Sequence, residues 1–214
     1  MAVTGGLRGV LRRVAPATSG RLEESGFLLV GATAGLLGWG GTQALSWTDV
    51  PNSAMLATVL WGVLVAGFTG LTVLHAPDAV RFSDAMLGWG AVNGTAMALT
   101  LGGLAGLVPA RPAFWTAWVG AAALGYCLTG GLLVRAGARG RGRGYLAAGG
   151  VALAVLALGT VAFDAVAPVA FLLLAALHAV PLVLDAKTDL SAVARGVVLV
   201  TVVGTVLAVG SGLP

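Results

Sequence analysis

Long apolar runs without charge alternate with short charged segments along most of this chain. A helix needs roughly 20 mainly apolar residues to cross a bilayer, and seven runs meet or approach that length. They cover residues 26–46, 53–75, 85–108, 113–134, 145–163, 165–184 and 196–213. The pattern therefore predicts an all-α integral membrane protein, with seven transmembrane helices in one bundle over residues 26–213.

The segment before the first run, residues 1–25, is short and basic. Its apolar residues share one face of a helix, and arginines occupy other positions. The apolar set is Leu7, Val10, Leu11 and Val14, and the arginines are Arg8, Arg12 and Arg13. Such a segment is typical of a basic helix on the membrane surface. A disordered basic tail is the alternative, and the sequence leaves both open.

The basic residues sort to one side of the seven predicted spans. If the chain crosses the membrane at each span, all but one of its 12 Lys and Arg residues fall on the same side as the N-terminal segment. The exception is Arg111. Cytoplasmic loops are enriched in Lys and Arg, so the pattern predicts a multi-pass protein of the cell membrane, with its N-terminus inside and its C-terminus outside. The residues on the inner side are Arg8, Arg12, Arg13, Arg21, Arg81, Arg135, Arg139, Arg141, Arg143, Lys187 and Arg195.

The composition excludes a water-soluble globular domain. Hydrophobic residues make up 58% of the 214 residues and charged residues only 9%, whereas soluble domains carry about 25% charged residues. The net charge of +4 does not indicate a nucleic-acid partner, because the arginines occupy short segments between apolar runs. The single cysteine, Cys127, excludes an internal disulfide framework.

Three polar side chains inside the predicted spans fall at a similar depth. Asn93 and Tyr126 each lie about eight residues from the inner end of a span, and His178 lies about seven residues from one. Polar groups buried in hydrocarbon need partners. We therefore expect Asn93, Tyr126 and His178 to be candidates for one polar network or ligand site in the inner half of the bilayer. The alternative is three independent residues, each satisfied by a backbone carbonyl.

The 34 glycines call for a packing explanation. Small residues let membrane helices approach closely, which compensates for the absence of a hydrophobic drive between helices in lipid. Small-xxx-small pairs occur at Gly31/Gly35, Gly90/Gly94 and Gly102/Gly106. We expect these pairs to be packing seams, either within the bundle or against a membrane-protein partner or a second copy of the chain.

Residues near the predicted span ends are expected at the membrane surface. Candidates for contact with lipid headgroups are Arg135, Arg139, Arg141 and Arg143, and a plain stop-transfer loop is the alternative. Tryptophans expected to anchor helices at the interface are Trp47, Trp89 and Trp115. Asp185 is expected in the solvated loop between the last two spans.

The sequence contains no motif of dedicated chemistry. It shows no metal-ligand spacing, no nucleophile elbow, no phosphate loop and no carboxylate well inside a predicted span, so no cofactor, metal or catalytic residue is predicted. A bis-histidine haem would need His75 and His178 at one height, and the predicted depths differ. The favoured function is a non-catalytic accessory or structural subunit of a membrane complex. The alternatives are a small transporter or permease-like protein with a weakly polar intramembrane site, and a haem-binding or enzymatic protein that uses His178.

Overall fold

The structure, a computed structural model, describes residues 24–76 and 78–186, and within these ranges it contains helices and no strand. The all-α prediction is therefore confirmed for the described residues. The helices are α1 (Glu24–Ser46), α2 (Ser53–His75), α3 (Asp78–Arg81), α4 (Asp84–Leu104), α5 (Ala117–Arg135), α6 (Arg139–Val161), α7 (Phe163–Val166) and α8 (Ala170–Ala186). A π-helical turn, Pro112–Thr116, leads into α5, and a 3-10 turn, Ala167–Val169, leads into α8.

Four helical segments of the described chain are long and apolar enough to cross a membrane. They are Ser53–His75, Pro112–Arg135, Arg139–Val161 and Phe163–Ala186. The helices α1 and α4 coincide with two further predicted runs but are not among these four segments. The number of seven spans therefore stays a prediction, as does the orientation. The predicted last span, 196–213, and nearly all of the segment 1–25 lie outside the described residues.

Glycines in the left-handed conformation end two of the helices. After α4, Gly106 has φ 73°, and the Leu107 N–H donates to the Gly102 carbonyl at 2.8 Å. After α5, Gly137 has φ 88°, and the Ala138 N–H donates to the Leu133 carbonyl at 2.9 Å. Both are Schellman turns, in which a residue without Cβ adopts the positive φ and satisfies the last carbonyls of the helix.

The helix pairs α5–α6 and α1–α8 form the most extensive contacts of the described bundle, and α4 packs on the opposite side of α5. The closest backbone approach involves Gly130 of α5 and Gly142 of α6. A Cβ added to Gly130 would lie 2.7 Å from the Gly142 carbonyl oxygen. The pair α1–α8 joins helices from distant parts of the sequence, which brings the first described helix against the last.

Helix α2 lies at the periphery of the described bundle. It packs mainly on α1, and no residue of its most apolar stretch is buried. Among its side chains, Val63 is 67% and Leu74 71% exposed. Such a surface suits lipid, because hydrocarbon chains are as apolar as valine and leucine.

Candidate functional site

Four aromatic side chains from four helices meet in the half of the bundle that contains the α5–α6 turn. They are Trp89 of α4, Tyr126 of α5, Tyr145 of α6 and His178 of α8. Trp89 meets Tyr126 edge to face with ring centroids 5.0 Å apart, and Tyr126 lies 6.2 Å from His178 and 6.1 Å from Tyr145. We call this group the tyrosine–histidine cluster. It contains two of the three polar residues that the sequence placed in one layer.

The phenol of Tyr126 is the central polar group of this cluster. The residue is fully buried, and its hydroxyl has no hydrogen-bond partner among the described residues. A buried polar group without a partner costs about 1–3 kcal/mol. The hydroxyl is therefore available to a water molecule or a ligand group that enters the cluster.

The imidazole of His178 packs directly on helix α1. A Cβ added to Gly35 would overlap the ring, with the His178 Cγ 2.7 Å away. The ring also makes a polar contact with the main chain of Gly31, one helical turn earlier. The predicted Gly31/Gly35 pair thus faces α8, and its second glycine leaves the space that His178 fills.

The third predicted member of the layer, Asn93, does not share a hydrogen bond with Tyr126 or His178. It is half-buried on α4, and its side chain makes no hydrogen bond in the described part of the chain. Trp89, one turn earlier, occupies the position beside Tyr126 instead. Trp89 was expected as an interfacial anchor, but it packs against Gly125 and its indole N–H donates to the Thr129 hydroxyl at 3.0 Å.

A charged group closes the tyrosine–histidine cluster towards the α5–α6 turn. Asp185 accepts hydrogen bonds from Tyr145 at 2.8 Å and from the Arg141 guanidinium, one of which is 2.8 Å long. Asp185 was expected in a solvated loop. Instead α8 continues to Ala186, and the Asp185 side chain is 4% exposed, whereas that of Arg141 is 39% exposed. This ion pair joins the start of α6 to the end of α8.

The other three arginines proposed for headgroup contact surround the same turn. Arg135 lies at the end of α5, and Arg139 and Arg143 lie in the first turns of α6. All three are exposed. Arg141 differs from them because Asp185 already binds its guanidinium, so its charge is partly neutralised within the protein.

A second aromatic group lies in the opposite half of the bundle. Trp39 of α1, Trp61 of α2, Trp118 of α5 and Phe171 of α8 form what we call the tryptophan cluster. Trp39 lies 4.5 Å from Trp61, 5.4 Å from Trp118 and 5.9 Å from Phe171, between ring centroids. This cluster was not predicted from the sequence.

Two indoles of the tryptophan cluster have threonine partners. Trp61 donates to the Thr42 hydroxyl at 3.1 Å, and Trp118 donates to the Thr100 hydroxyl at 2.9 Å. Thr100 in turn donates its own proton to main-chain carbonyls. The two indole bonds each join two different helices and so fix those helices relative to one another.

Gln43 of α1 secures the start of α8 beside the same cluster. It is fully buried, and its side-chain carbonyl accepts the main-chain N–H of Phe171 at 3.0 Å. Its amide N–H donates to Ser46 at 2.8 Å. The first N–H groups of a helix lack intrahelical partners, so Gln43 caps α8. An amide inside an apolar run indicates such a buried partner, and this indication was present in the sequence.

A cavity of about 260 Å³ adjoins the tryptophan cluster. It is lined by aromatic rings and hydroxyl groups and by no charged side chain. Water occupies about 30 Å³ in the liquid, so the cavity has room for roughly nine water-sized groups. None of the described residues that line this space is titratable.

The described residues do not form a metal-binding cluster. No group of three or more His, Cys, Asp or Glu side chains that could hold a metal is present in residues 24–76 and 78–186. His75 is exposed at the end of α2, whereas His178 is packed between α1 and the tyrosine–histidine cluster.

No protein-family model matches this chain, and none of the curated proteins or solved structures compared with it is significantly similar.

Proposed function

We propose that this chain is a multi-pass protein of the cell membrane, with seven spans, that serves as a non-catalytic accessory or structural subunit of a membrane complex. The apolar helices support membrane insertion. The distribution of Lys and Arg supports an N-terminus inside and a C-terminus outside. Under this topology the exposed Arg135, Arg139 and Arg143 contact anionic headgroups of the inner leaflet.

The observation that carries the subunit proposal is the uncovered face of α4. Gly90, Gly94 and Ala98 recur at four-residue intervals and are all exposed. A Cβ added at Gly90 or Gly94 would have no described atom within 4 Å. Helix α4 is also outside the set of helices apolar enough to cross a membrane on their own. A small-residue face on a weakly apolar helix fits a partner helix better than lipid.

Site-specific photo-crosslinking in native membranes tests this proposal. Benzoylphenylalanine placed at Ala98, on the uncovered face of α4, should give an adduct heavier than one chain. The same residue at Leu153, a 48% exposed position on α6, is the matched control and should give no protein adduct. Mass spectrometry of the adduct then distinguishes a second copy from another membrane protein.

Two results would contradict the subunit proposal. One is crosslinking from Ala98 to lipid alone. The other is an adduct of unchanged mass that joins Ala98 to residues 187–214 of the same chain, because the small-residue face would then serve an internal contact.

Thiol accessibility tests the proposed orientation. In a Cys127→Ala background, cysteines at Asn52 and Ala110 should react with an impermeant reagent on intact cells, and a cysteine at Gly140 should not. The reverse labelling would overturn the orientation, and labelling at both Ala110 and Gly140 would show that the span between them is misassigned.

A second candidate function, a small transporter or permease-like protein, is favoured by the hydroxyl of Tyr126 beside His178, which has no partner among the described residues. A transport route requires water to reach this layer. A cysteine at His178, in the Cys127→Ala background, should then react with a small water-soluble thiol reagent. A cysteine at Leu174, one turn away and 1% exposed, should stay unreacted. Protection at both positions would exclude this candidate.

The haem-binding or enzymatic alternative through His178 gains no support from the described residues. The imidazole is packed against Gly35 and faces Trp89 and Tyr126. A haem iron would need that packing to open.

A further inference from the structure

The cavity beside the tryptophan cluster combines five aromatic rings with five hydroxyl groups, which come from α1, α2, α4, α5 with its leading π-turn, and α8. The rings belong to Trp39, Trp61, Phe114, Trp118 and Phe171, and the hydroxyls to Thr42, Ser46, Ser53, Thr58 and Thr100. None of the described lining residues carries a charge. A pocket between helices with an apolar wall and a few polar groups is a common form of small-molecule site.

The hydrogen bonds of the lining hydroxyls determine what they offer to a ligand. Thr42, Ser46, Thr58 and Thr100 each donate their single proton to a main-chain carbonyl of the protein. A hydroxyl has one donor and two acceptor lone pairs. Thr42, Ser46 and Thr100 also accept one hydrogen bond each. The four hydroxyls can therefore offer a ligand only their remaining acceptor lone pairs.

The indole N–H groups of the lining are also mostly used within the protein. The N–H groups of Trp61 and Trp118 donate to Thr42 and Thr100. Among the described lining groups, only the Ser53 hydroxyl and the Trp39 indole have a proton without an acceptor in residues 24–76 and 78–186. The π-systems of aromatic rings attract cations, with indole the strongest of the side-chain rings. Acceptor oxygens and electron-rich rings around one uncharged space favour a ligand that carries positive charge or donates hydrogen bonds.

We propose that this cavity binds a small organic cation of the ammonium type, with apolar substituents on the nitrogen. The ligand belongs either to a free solute or to the headgroup of a membrane lipid. The cavity lies beside the turn between α1 and α2, at an end of the bundle, where both sources can reach it. This inference does not depend on the proposed subunit role.

Choline and its neutral isostere 3,3-dimethylbutanol are the probes that isolate the charge. They are titrated into purified full-length protein in phosphatidylglycerol nanodiscs, and binding is followed by calorimetry and by tryptophan fluorescence. Choline should bind roughly 5- to 30-fold more tightly than the isostere, the range expected for a cation on partly desolvated aromatic rings. Equal affinity would overturn the proposal in favour of a purely apolar pocket, and absence of saturable binding would overturn it entirely.

The lipid of the nanodisc separates the two sources of the cation. Phosphatidylglycerol carries no ammonium group, so choline binding there reports the bare pocket. If a lipid headgroup is the natural occupant, phosphatidylcholine nanodiscs should weaken the apparent affinity for free choline several-fold. Equal affinity in both lipids would assign the pocket to a free solute.

Two variants place the binding in this cavity. Trp61→Leu removes a lining ring and should weaken choline binding about tenfold or more. Trp47→Leu, at a tryptophan outside the lining and 57% exposed, is the matched control and should leave choline affinity unchanged.

Thr58→Val provides a milder test, because its described hydrogen bond lies within α2. Choline affinity should fall a few-fold while the melting temperature is retained. Unchanged affinity in folded Trp61→Leu and Thr58→Val would overturn the assignment to this cavity.

Discussion

The tryptophan cluster and the tyrosine–histidine cluster occupy opposite halves of the same bundle and differ in how their polar atoms are satisfied. In the tryptophan cluster, Trp61 and Trp118 donate to threonines and Gln43 caps α8. In the tyrosine–histidine cluster, the hydroxyl of the fully buried Tyr126 has no partner among the described residues. In the first cluster only the Trp39 N–H has no partner among the described residues, whereas the second contains a fully buried hydroxyl that is open to a further group.

This difference bears on where a ligand would meet the protein. Satisfied polar networks in a low-dielectric interior fix the arrangement of the elements they join. The tryptophan cluster thereby holds the wall of a preformed cavity, into which a ligand can bind without breaking a hydrogen bond. A group that enters the tyrosine–histidine cluster would gain a bond that the described protein leaves unmade.

The largest loss of stability is expected beside the tyrosine–histidine cluster, where the backbones of α5 and α6 approach each other closely. Gly130→Ala, one turn after Tyr126, would place a Cβ 2.7 Å from the Gly142 carbonyl oxygen and 2.8 Å from the Leu146 nitrogen. Backbone atoms cannot yield as a side chain does, so we expect a loss of roughly 2–3 kcal/mol in the free energy of unfolding. Denaturation in mixed micelles measures it.

Matched glycine variants make this prediction specific. Gly131→Ala should cost nothing, because its Cβ would meet no described atom within 4 Å. Gly38→Ala lies beside the tryptophan cluster, and the three atoms nearest to its Cβ would all belong to the ring of Trp61 on the peripheral helix α2. This substitution should cost about 1 kcal/mol. Equal costs for Gly130→Ala and Gly131→Ala would contradict the close approach of α5 and α6.

The next largest effect concerns the ion pair of the tyrosine–histidine cluster, which has no counterpart in the lining of the tryptophan-cluster cavity. Arg141→Ala leaves the Asp185 carboxylate buried with only Tyr145 as a described partner. Loss of a partner from a buried pair is costly, but Arg141 is 39% exposed, so we expect about 1–2 kcal/mol. Thermal unfolding at low and high salt measures the loss.

Arg139→Ala is the control for the ion pair. Arg139 is exposed and has no described partner, so its loss should change stability by less than about 0.5 kcal/mol. If Arg139→Ala and Arg141→Ala both left the stability unchanged, the pairing of Arg141 with Asp185 would not contribute to the stability of the fold.

Removal of one hydroxyl from each cluster should change the stability of the protein in opposite directions. Thr100→Val leaves the Trp118 N–H without its acceptor and should destabilise the protein by about 1–2 kcal/mol. Tyr126→Phe removes a buried hydroxyl that has no described partner, so it should leave stability unchanged or raise it by up to about 1 kcal/mol. Melting temperatures of the two purified variants decide the point. A destabilised Tyr126→Phe would reveal a partner for that hydroxyl, such as bound water.

The positions of the helices were predictable because a long apolar run in lipid must form a helix that satisfies its own backbone hydrogen bonds. The run 53–75 coincides with α2, and the run 26–46 differs from α1 by two residues at its start. The end of α8 was less predictable. The charge on Asp185 suggested a loop, but Arg141 and Tyr145 compensate for burying it, and both lie on another helix.

Counting residues along a helix predicts the depth of a candidate site residue but not the rotation of its helix, and the shared depth of Asn93, Tyr126 and His178 stays a prediction. Counting residues gives the height of a side chain along a helix, so Tyr126 and His178 were expected in one layer and the structure places them side by side. The same counting cannot say whether Trp89 or Asn93, one turn apart, turns towards α5. The tryptophan cluster was missed because its hydrogen bonds and ring contacts join residues that are distant in sequence, such as Gln43 and Phe171.

The smallest expected effect tests which residues belong to the tyrosine–histidine cluster. Coupling between membrane helices averages about 0.6 kcal/mol in double-mutant cycles and reaches about 1.7 kcal/mol. A cycle of His178→Ala with Tyr126→Ala should show coupling of that size, because the two rings are adjacent. A cycle of His178→Ala with Asn93→Ala should be additive within about 0.3 kcal/mol, because the Asn93 side chain makes no hydrogen bond in the described chain.

Coupling in the second cycle would show that all three residues form the polar layer proposed from their depths, with water or a ligand as the connection. Additivity in both cycles would reduce the layer to independent side chains, and the unpartnered hydroxyl of Tyr126 would then no longer support a transport site.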